Sequence, residues 1–380
     1  MRHEGDVRLV RASMSMNMEA SVLRDSWYIA CASLELTETP VTRRILDEDW
    51  VLLRNAQGEV RAFLDRCCHR GYPISQASCV AGTLRCNYHG WQYDYDGRCV
   101  HIPSLACGRR IPESFRLARV PCTERDGFVW LWPGSAEPGL LRGVPGFAGS
   151  RWYRGSVEIA CNYLDAMEVA FDESHVYFVH ANHPSTATVS RHGMQESDWE
   201  LRTTDSGCIA FYPTTQDDRE SIDSATFRME FTVPCDISFA ARLPNGHVYR
   251  LYIHTVPVDP QHCRVEWMST RFDASERAVI TTEHAGIAPF MAEDKRVLER
   301  VARVYQRHGH QFECSVESDA ATLLLRKIVR AVEEGRWPEA AGRRRQIVRV
   351  RGAGDPQNTS LARSAGRAAV SKTETKPLES

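Results

Sequence analysis

The chain has 380 residues, 43% hydrophobic and 25% charged, a composition that suits one large or two to three smaller globular domains and excludes a fibrous or wholly disordered protein. Its formal net charge of -2 gives no overall field toward nucleic acid, and no apolar run approaches the roughly 20 residues of a membrane-spanning helix. Thirteen cysteines, scattered from Cys31 to Cys314 without a compact framework or an apolar leader, read as reduced thiols of a cytoplasmic protein.

Residues 1–25 read as an N-terminal arm. Met14, Met16 and Met18 offer alternative starts, which would make residues 1–13 a loose arm or an artefact of the chosen start. Residues 26–134 hold short strand-like runs, among them WYIACASLEL, WVLLRNAQGEVRAFLD and GFVWLWPG, and read as an all-β domain. Asp96-Gly97 predicts a two-residue hairpin. Residues 135–150 are a Pro/Gly-rich connector.

Residues 151–340 read as a second domain. NYLDAMEVAFDESHVYFVH (162–180) predicts one helix, ended by Pro184. The runs within 199–272 predict one antiparallel sheet, and 287–308 and 320–335 predict two amphipathic helices. Residues 341–380 are small, basic and polar and read as a disordered tail. GAGDPQ there lacks the third glycine and the strand-helix context of a dinucleotide loop.

Residues 67–100, CCHRGYPISQASCVAGTLRCNYHGWQYDYDGRCV, concentrate metal-ligand types. They sort into two arms, Cys67-x-His69 and Cys86-x-x-His89, each with a glycine close behind. Two Cys and two His fit either zinc or a two-iron, two-sulfur cluster. Zinc modules usually pair cysteine with cysteine on one knuckle, so one Cys and one His per strand-borne loop favours the cluster. Cys68, Cys79 and Cys99 fall outside the pattern.

A second constellation is Asp172-x-x-His175-x4-His180. His175 and His180 are i, i+5, about 140° apart on a regular helix, so one metal can take both only if the helix is bulged or unwound there. Two imidazoles and one carboxylate with an open face is the arrangement of non-heme Fe(II) that activates O2. Glu168, Asp172, Glu293 and Asp294 are the available carboxylates. In 287–308 the apolar stripe runs Phe290/Met291, Val297/Leu298, Val301, Val304/Tyr305. Asp294 falls in its gap, whereas Glu293 lines up with Arg296 and Arg300 on the wet face. A buried carboxylate needs a reason such as a metal, so Asp294 is read as the third ligand and Glu293 as solvated. His183, three residues beyond His180, reads as a surface or supporting residue, and His101, His254 and His284 are assigned no ligand role.

CCHRG…CNYHGW resembles the Rieske motif, and the chain over about 26–340 resembles the Rieske non-heme iron oxygenases, most strongly at 67–91 and 162–180. The resemblance implies an α+β architecture: an N-terminal all-β Rieske domain and a C-terminal helix-grip domain, an antiparallel sheet wrapped on a long helix. It implies a [2Fe-2S] cluster on Cys67, His69, Cys86 and His89, and mononuclear Fe(II) on His175, His180 and Asp294. Tyr72 and Tyr88 stand where respiratory Rieske proteins carry an extra disulfide, which places the chain on the oxygenase and ferredoxin side.

In this family the residue matching Asp172 bridges a cluster histidine of one subunit, here His89, to an iron histidine of the next, here His175, which implies a head-to-tail homotrimer. Many members follow the residue matching Glu168 with Asn; here Val169 stands there, and Glu168 and Asn162 are read as residues that support the site from behind, Asn162 replacing any lost hydrogen bond.

The resemblance further implies the terminal oxygenase of a multicomponent system, fed by an NAD(P)H-dependent reductase, a ferredoxin or both. Length and the 318–335 pattern are similar to the monooxygenase and demethylase branch, in which a hydroxylated methyl group leaves as formaldehyde from a small aromatic or polycyclic molecule. Alternative readings are an aromatic-ring cis-dihydroxylase, a natural-product hydroxylase, or a Rieske electron carrier without catalysis.

Overall fold

The structure, a computed structural model, describes residues 21–37, 39–55, 57–148, 152–181, 197–212, 227–242, 248–270, 287–337 and 345–350. The expectations for residues 1–20, His183, Pro184, His284, GAGDPQ and the tail beyond 350 lie outside these residues.

The N-terminal half is built of short antiparallel strands. One sheet runs Val41–Ile45, Glu48–Arg54, Val60–Leu64, Arg119–Val120, and a second runs Tyr28–Ala32, Phe128–Leu131, Cys122–Arg125. A small third sheet, Ser78–Val80, Thr83–Arg85, Gln92–Tyr93, Cys99–His101, carries the second arm of the Cys/His cluster. The strand Glu48–Arg54 lies between two cores, one shared with the second half and one local to the Cys/His loops. Trp50 and Leu52 are buried in the main core, whereas Val51 and Leu53 are buried with Cys67, Cys86 and Trp91. Alternation along one strand thus serves two cores on its two faces.

The hairpin at Asp96-Gly97 differs from the two-residue expectation. Its ladder ends at Tyr93 and Cys99, and the Asp94 carboxylate accepts from the backbone N–H of Asp96 and Arg98 at 3.0 and 2.8 Å. That side-chain capping stabilises a wider turn. Gly97 is nonetheless required: its φ is 82°, and a Cβ there would sit 2.5 Å from Phe63 Cε1.

The second half is one eight-stranded antiparallel sheet. Its order is Tyr153–Ile159, His262–Ser269, Val248–Asp259, Asp236–Arg242, Phe227–Thr232, Gly207–Tyr212, Ser197–Thr204, Arg345–Val350. The long helix Ala288–His308, the short entry helix Tyr163–Ala170 and the C-terminal helix Ala320–Glu333 pack against it. In Val248–Asp259, Tyr249, Leu251 and Ile253 face a cavity under the helices. Tyr252 and His254 face the other way, toward the N-terminal half: Tyr252 packs with Phe128 and Trp130, and the His254 ring meets those of Tyr28 and Trp130.

Three expectations are corrected. Residues 162–180 are not one helix: the entry helix stops at Ala170, and a separate turn of helix spans Val176–Val179. The break comes from Asp172, whose carboxylate accepts from Ser174 N (2.8 Å), Ser174 Oγ (2.6 Å) and His175 N (3.1 Å) and so competes with the helical ladder. The tail is not disordered throughout, because Arg345–Val350 pairs with Ser197–Thr204. RQIVRV is a short β-branched-rich run that the polar composition around it conceals. Third, Glu168 belongs to a buried ion network: its two carboxylate oxygens accept from Arg326 Nε and Nη2 at 2.5 and 2.6 Å. Arg326 also holds Glu313, tying the entry helix to the C-terminal helix.

No helix among the described residues is long and apolar enough to cross a membrane.

Candidate active site

The two arms of the Cys/His cluster fold alike. Cys67 C=O accepts from Gly71 N at 2.9 Å and Cys67 N donates to Tyr72 O at 2.8 Å; Cys86 C=O accepts from Gly90 N at 2.9 Å and Cys86 N donates to Trp91 O at 2.8 Å. Gly71 and Gly90 both have φ of 72°, the left-handed conformation that lets each loop turn back beneath its own cysteine. These paired loops bring the four side chains together. The rings of His69 and His89 are 4.4 Å apart, and His69 stacks on Trp91 at 4.5 Å. Cys67 Sγ lies 3.0 Å from Tyr93 Oη. His69 Nδ1 is buried without a hydrogen-bond partner, as an imidazole nitrogen is when a metal takes its lone pair. Two thiols and two imidazoles from two loops fit a [2Fe-2S] group. Cys67 and Cys86 are buried and His89 is exposed, so a cluster held here would meet solvent at its histidine end. Tyr72 and Tyr88 face one another across the loops at 6.2 Å.

The second donor set is assembled from the broken helix. His175 precedes Val176–Val179 and His180 follows it, so one helical turn carries an imidazole at each end, with ring centroids 5.2 Å apart. Asp294 approaches from the long helix, its Oδ1 3.5 Å from His175 Nε2 and 3.0 Å from His180 Nε2. One donor atom from each of the three residues falls within 4.8 Å of the others. Asp294 Oδ1 is buried without a hydrogen-bond partner, although His180 Nε2 lies 3.0 Å away. Two imidazoles and a carboxylate converging in this way fit one metal ion of the non-heme iron type. Burial pushes the Asp294 carboxyl up, but His175 and His180 outweigh it and hold the group below its ordinary range.

Asp172 stands beside this set. Its Oδ2 is 3.5 Å from His175 Nδ1, and its side chain is 22% exposed, so the carboxylate adjoins the ring and the surface together.

Glu293 corrects the helical-stripe reading. Its Oε2 accepts from His180 Nδ1 at 2.8 Å, which fixes the ring with Nε2 toward Asp294. The reading missed it because a helical wheel places Glu293 with Arg296, which it does meet at 3.7 Å, but says nothing of a ring arriving from another element.

Asn162 is also used otherwise. Its Oδ1 accepts from Leu164 N at 2.9 Å, capping the entry helix, and its Nδ2 donates to Pro260 O at 3.0 Å. Neither Asn162 nor Glu168 lines the cavity beside the donor set.

That cavity has a volume of about 270 Å³. Its walls are apolar, from Met229, Phe239, Leu251, Phe290 and Leu298 among others, with His175, His180 and Asp294 in the lining. Glu173 and Tyr177 also line it. Burial is the main cause that lifts the Glu173 carboxyl to about 7, with the Tyr177 hydroxyl opposing.

Residues 26–122 match the Rieske [2Fe-2S] domain family, and residues 159–335 match the vanillate O-demethylase oxygenase C-terminal domain family. The sequence is 37% identical over 177 residues to the oxygenase component of dicamba O-demethylase from Stenotrophomonas maltophilia, covering 44% of this chain and 51% of that protein. It is 33% identical over 164 residues to the vanillate O-demethylase oxygenase subunit of Pseudomonas sp. (strain HR199 / DSM 7063), covering 42% and 45%. These matches span about half the length of each relative. The crystal structure of dicamba monooxygenase bound to dicamba is similar with a TM-score of 0.64 at 25% identity, covering 84% of this chain and 98% of that one.

Proposed function

Because the chain belongs to the Rieske non-heme iron oxygenases, joining a Rieske [2Fe-2S] domain to an oxygenase C-terminal domain of the vanillate O-demethylase kind, we propose that it is the terminal oxygenase of a multicomponent system. It uses O2 and externally supplied electrons to hydroxylate or oxidatively demethylate a small aromatic or polycyclic molecule. The observation that carries this reading is the position of the His175, His180 and Asp294 donors in the wall of an apolar cavity. An electron carrier has no use for such a cavity.

Cys67, His69, Cys86 and His89 would hold the cluster, and His175, His180 and Asp294 the iron. The cluster supplies electrons singly, and the iron supplies a site for O2 activation. The chain's own residues do the rest. The apolar wall excludes water and packs the substrate against the iron side of the cavity. Glu293 keeps His180 in one tautomer. Asp172 lies 3.5 Å from His175 Nδ1 on the opposite ring edge and, across a subunit boundary, accepts from His89 of a second copy. That contact makes the working unit a head-to-tail homotrimer, because each bridge needs a neighbour. The names of the relatives, an oxygenase component and an oxygenase subunit, support a separate NAD(P)H-dependent reductase, a ferredoxin or both as electron donors. Thirteen unpaired thiols support a reducing, cytoplasmic setting.

The test is a panel of methoxy- and N-methyl-aromatics with purified chain, a reductase and NADH, following O2 uptake, formaldehyde and product mass together. Coupled uptake with a product one methylene lighter is expected for a demethylase. A stable alcohol would move the reading to the hydroxylase branch. Both atoms of labelled O2 in one ring product would move it to the dihydroxylases. Absence of uptake across the panel in iron-replete protein would overturn it.

A further inference from the structure

Most of the cavity wall is hydrocarbon, and its carboxyl groups divide by what they touch. Asp294 faces the two ligand imidazoles. Asp172 is held by Ser174 and His175. Glu173 lines the same cavity, but its one side-chain hydrogen bond among the described residues comes from Tyr177 Oη at 3.4 Å, near the limit of such a contact. A carboxyl half-buried in an apolar wall, as Glu173 is, loses hydration unless a partner replaces the water. The described residues supply that partner only weakly.

Charge points the same way. Asp294 and Asp172 adjoin the His175 ring, and Glu293 faces Arg296. Glu173 has no such cation opposite it: the described lining contains no lysine or arginine. The volume of about 270 Å³ is nearly twice the roughly 150 Å³ that holds benzene, so it suits one ring with substituents.

We infer that Glu173 is a specificity-determining residue for a substrate that carries a basic nitrogen on a compact aromatic body, the ammonium being received by the Glu173 carboxylate. This rests on the oxygenase reading for what happens to the substrate, but the recognition step stands on the cavity alone. Glu173 lies two residues before His175 in the same wall. An ammonium anchored there leaves the rest of the ring to the hydrocarbon part of the same lining.

The inference is tested by calorimetric binding to anaerobic holoenzyme, where no turnover occurs. Three probes of one shape are compared: 4-methoxybenzylamine, 4-methoxybenzyl alcohol and 4-methoxybenzoate. Wild type should bind the amine at least about ten-fold more tightly than the benzoate, and Glu173→Gln should weaken the amine about ten-fold while changing the alcohol less than about two-fold. Equal or tighter binding of the benzoate overturns the inference, as does an unchanged amine affinity in Glu173→Gln or binding of none of the three. If Glu173→Gln does not fold, the wild-type order of amine over benzoate still decides. Formaldehyde release under O2 and reductant is read separately. An amine that binds without turnover leaves Glu173 assigned and counts against demethylation. A benzoate that binds and turns over while the amine does not bind keeps demethylation and removes Glu173 from recognition.

Discussion

Glu293 and His180 are joined edge to edge: Glu293 Oε2 accepts from His180 Nδ1 at 2.8 Å, while the next residue of the same helix, Asp294, meets the opposite ring edge at 3.0 Å. Successive carboxylates thus clasp one imidazole, one orienting it and one placed where it could share a metal with it. Glu293→Ala should lower retention of mononuclear iron about ten-fold or more in a chelator competition and leave the cluster's visible absorbance unchanged. Glu293→Gln, which still accepts the hydrogen bond, should recover most of that loss. Iron retention equal to wild type in the alanine variant would remove Glu293 from the site.

Asp172 is placed to act on His175 without serving as a ligand. Asp172→Asn should keep both metals and nearly abolish turnover driven by external reductant. The pair of readouts matters, because a merely structural loss would lower iron content as well. Multiple turnover at the wild-type rate would contradict the bridge.

Arg326 holds two half-buried carboxylates, Glu168 and Glu313. Arg326→Leu leaves Glu168 unpaired, whereas Glu313 keeps Tyr305 and His310, and should destabilise the protein by about 2 kcal/mol, read as a lower denaturant midpoint. Arg326→Lys should recover less than half, since an ammonium cannot match two carboxylates in the planar fork that guanidinium offers.

Asp165 gives a pH dependence of defined sign. Burial, and then the nearby Glu168 charge, push its carboxyl up from an ordinary 3.8 to about 7, with His310 and Arg326 pulling the other way. The folded state therefore keeps a proton that the unfolded chain has released. This contribution to stability is complete below the unfolded value and is lost as pH rises from about 4 through 7. Thermal midpoints measured from pH 5 to 8 should fall less steeply in Asp165→Asn than in wild type. Parallel slopes would show that Asp165 does not titrate in this window.

The sequence was legible where chemistry fixes spacing. Cys67-x-His69 and Cys86-x-x-His89 announce two loops that fold to the same backbone pattern, and the gap in the apolar stripe at Asp294 points to a buried carboxylate that the structure brings to His175 and His180. It was illegible where a partner comes from elsewhere. A helical wheel for 287–308 cannot include His180, so Glu293 read as solvated. The apolar run across 162–180 conceals the local competition by Asp172 that breaks the helix. Asn162 and Glu168 are of types suited to a site, yet the cap on Leu164 and the pairing with Arg326 depend on three-dimensional neighbours. Strand register is the same kind of problem: that Tyr249, Leu251 and Ile253 face the cavity while Tyr252 and His254 face the other half is settled by packing on both sides.

The central claim is that one chain carries two separate iron sites, one of them open to substrate. Iron counted per folded chain, alongside the cluster's visible spectrum, tests it most directly in wild type and Asp294→Ala. The account predicts three irons in wild type, two from the [2Fe-2S] domain and one from the His175, His180 and Asp294 set. In Asp294→Ala the count should fall to two with an unaltered spectrum. Two irons in wild type, or three retained in the variant, would contradict it.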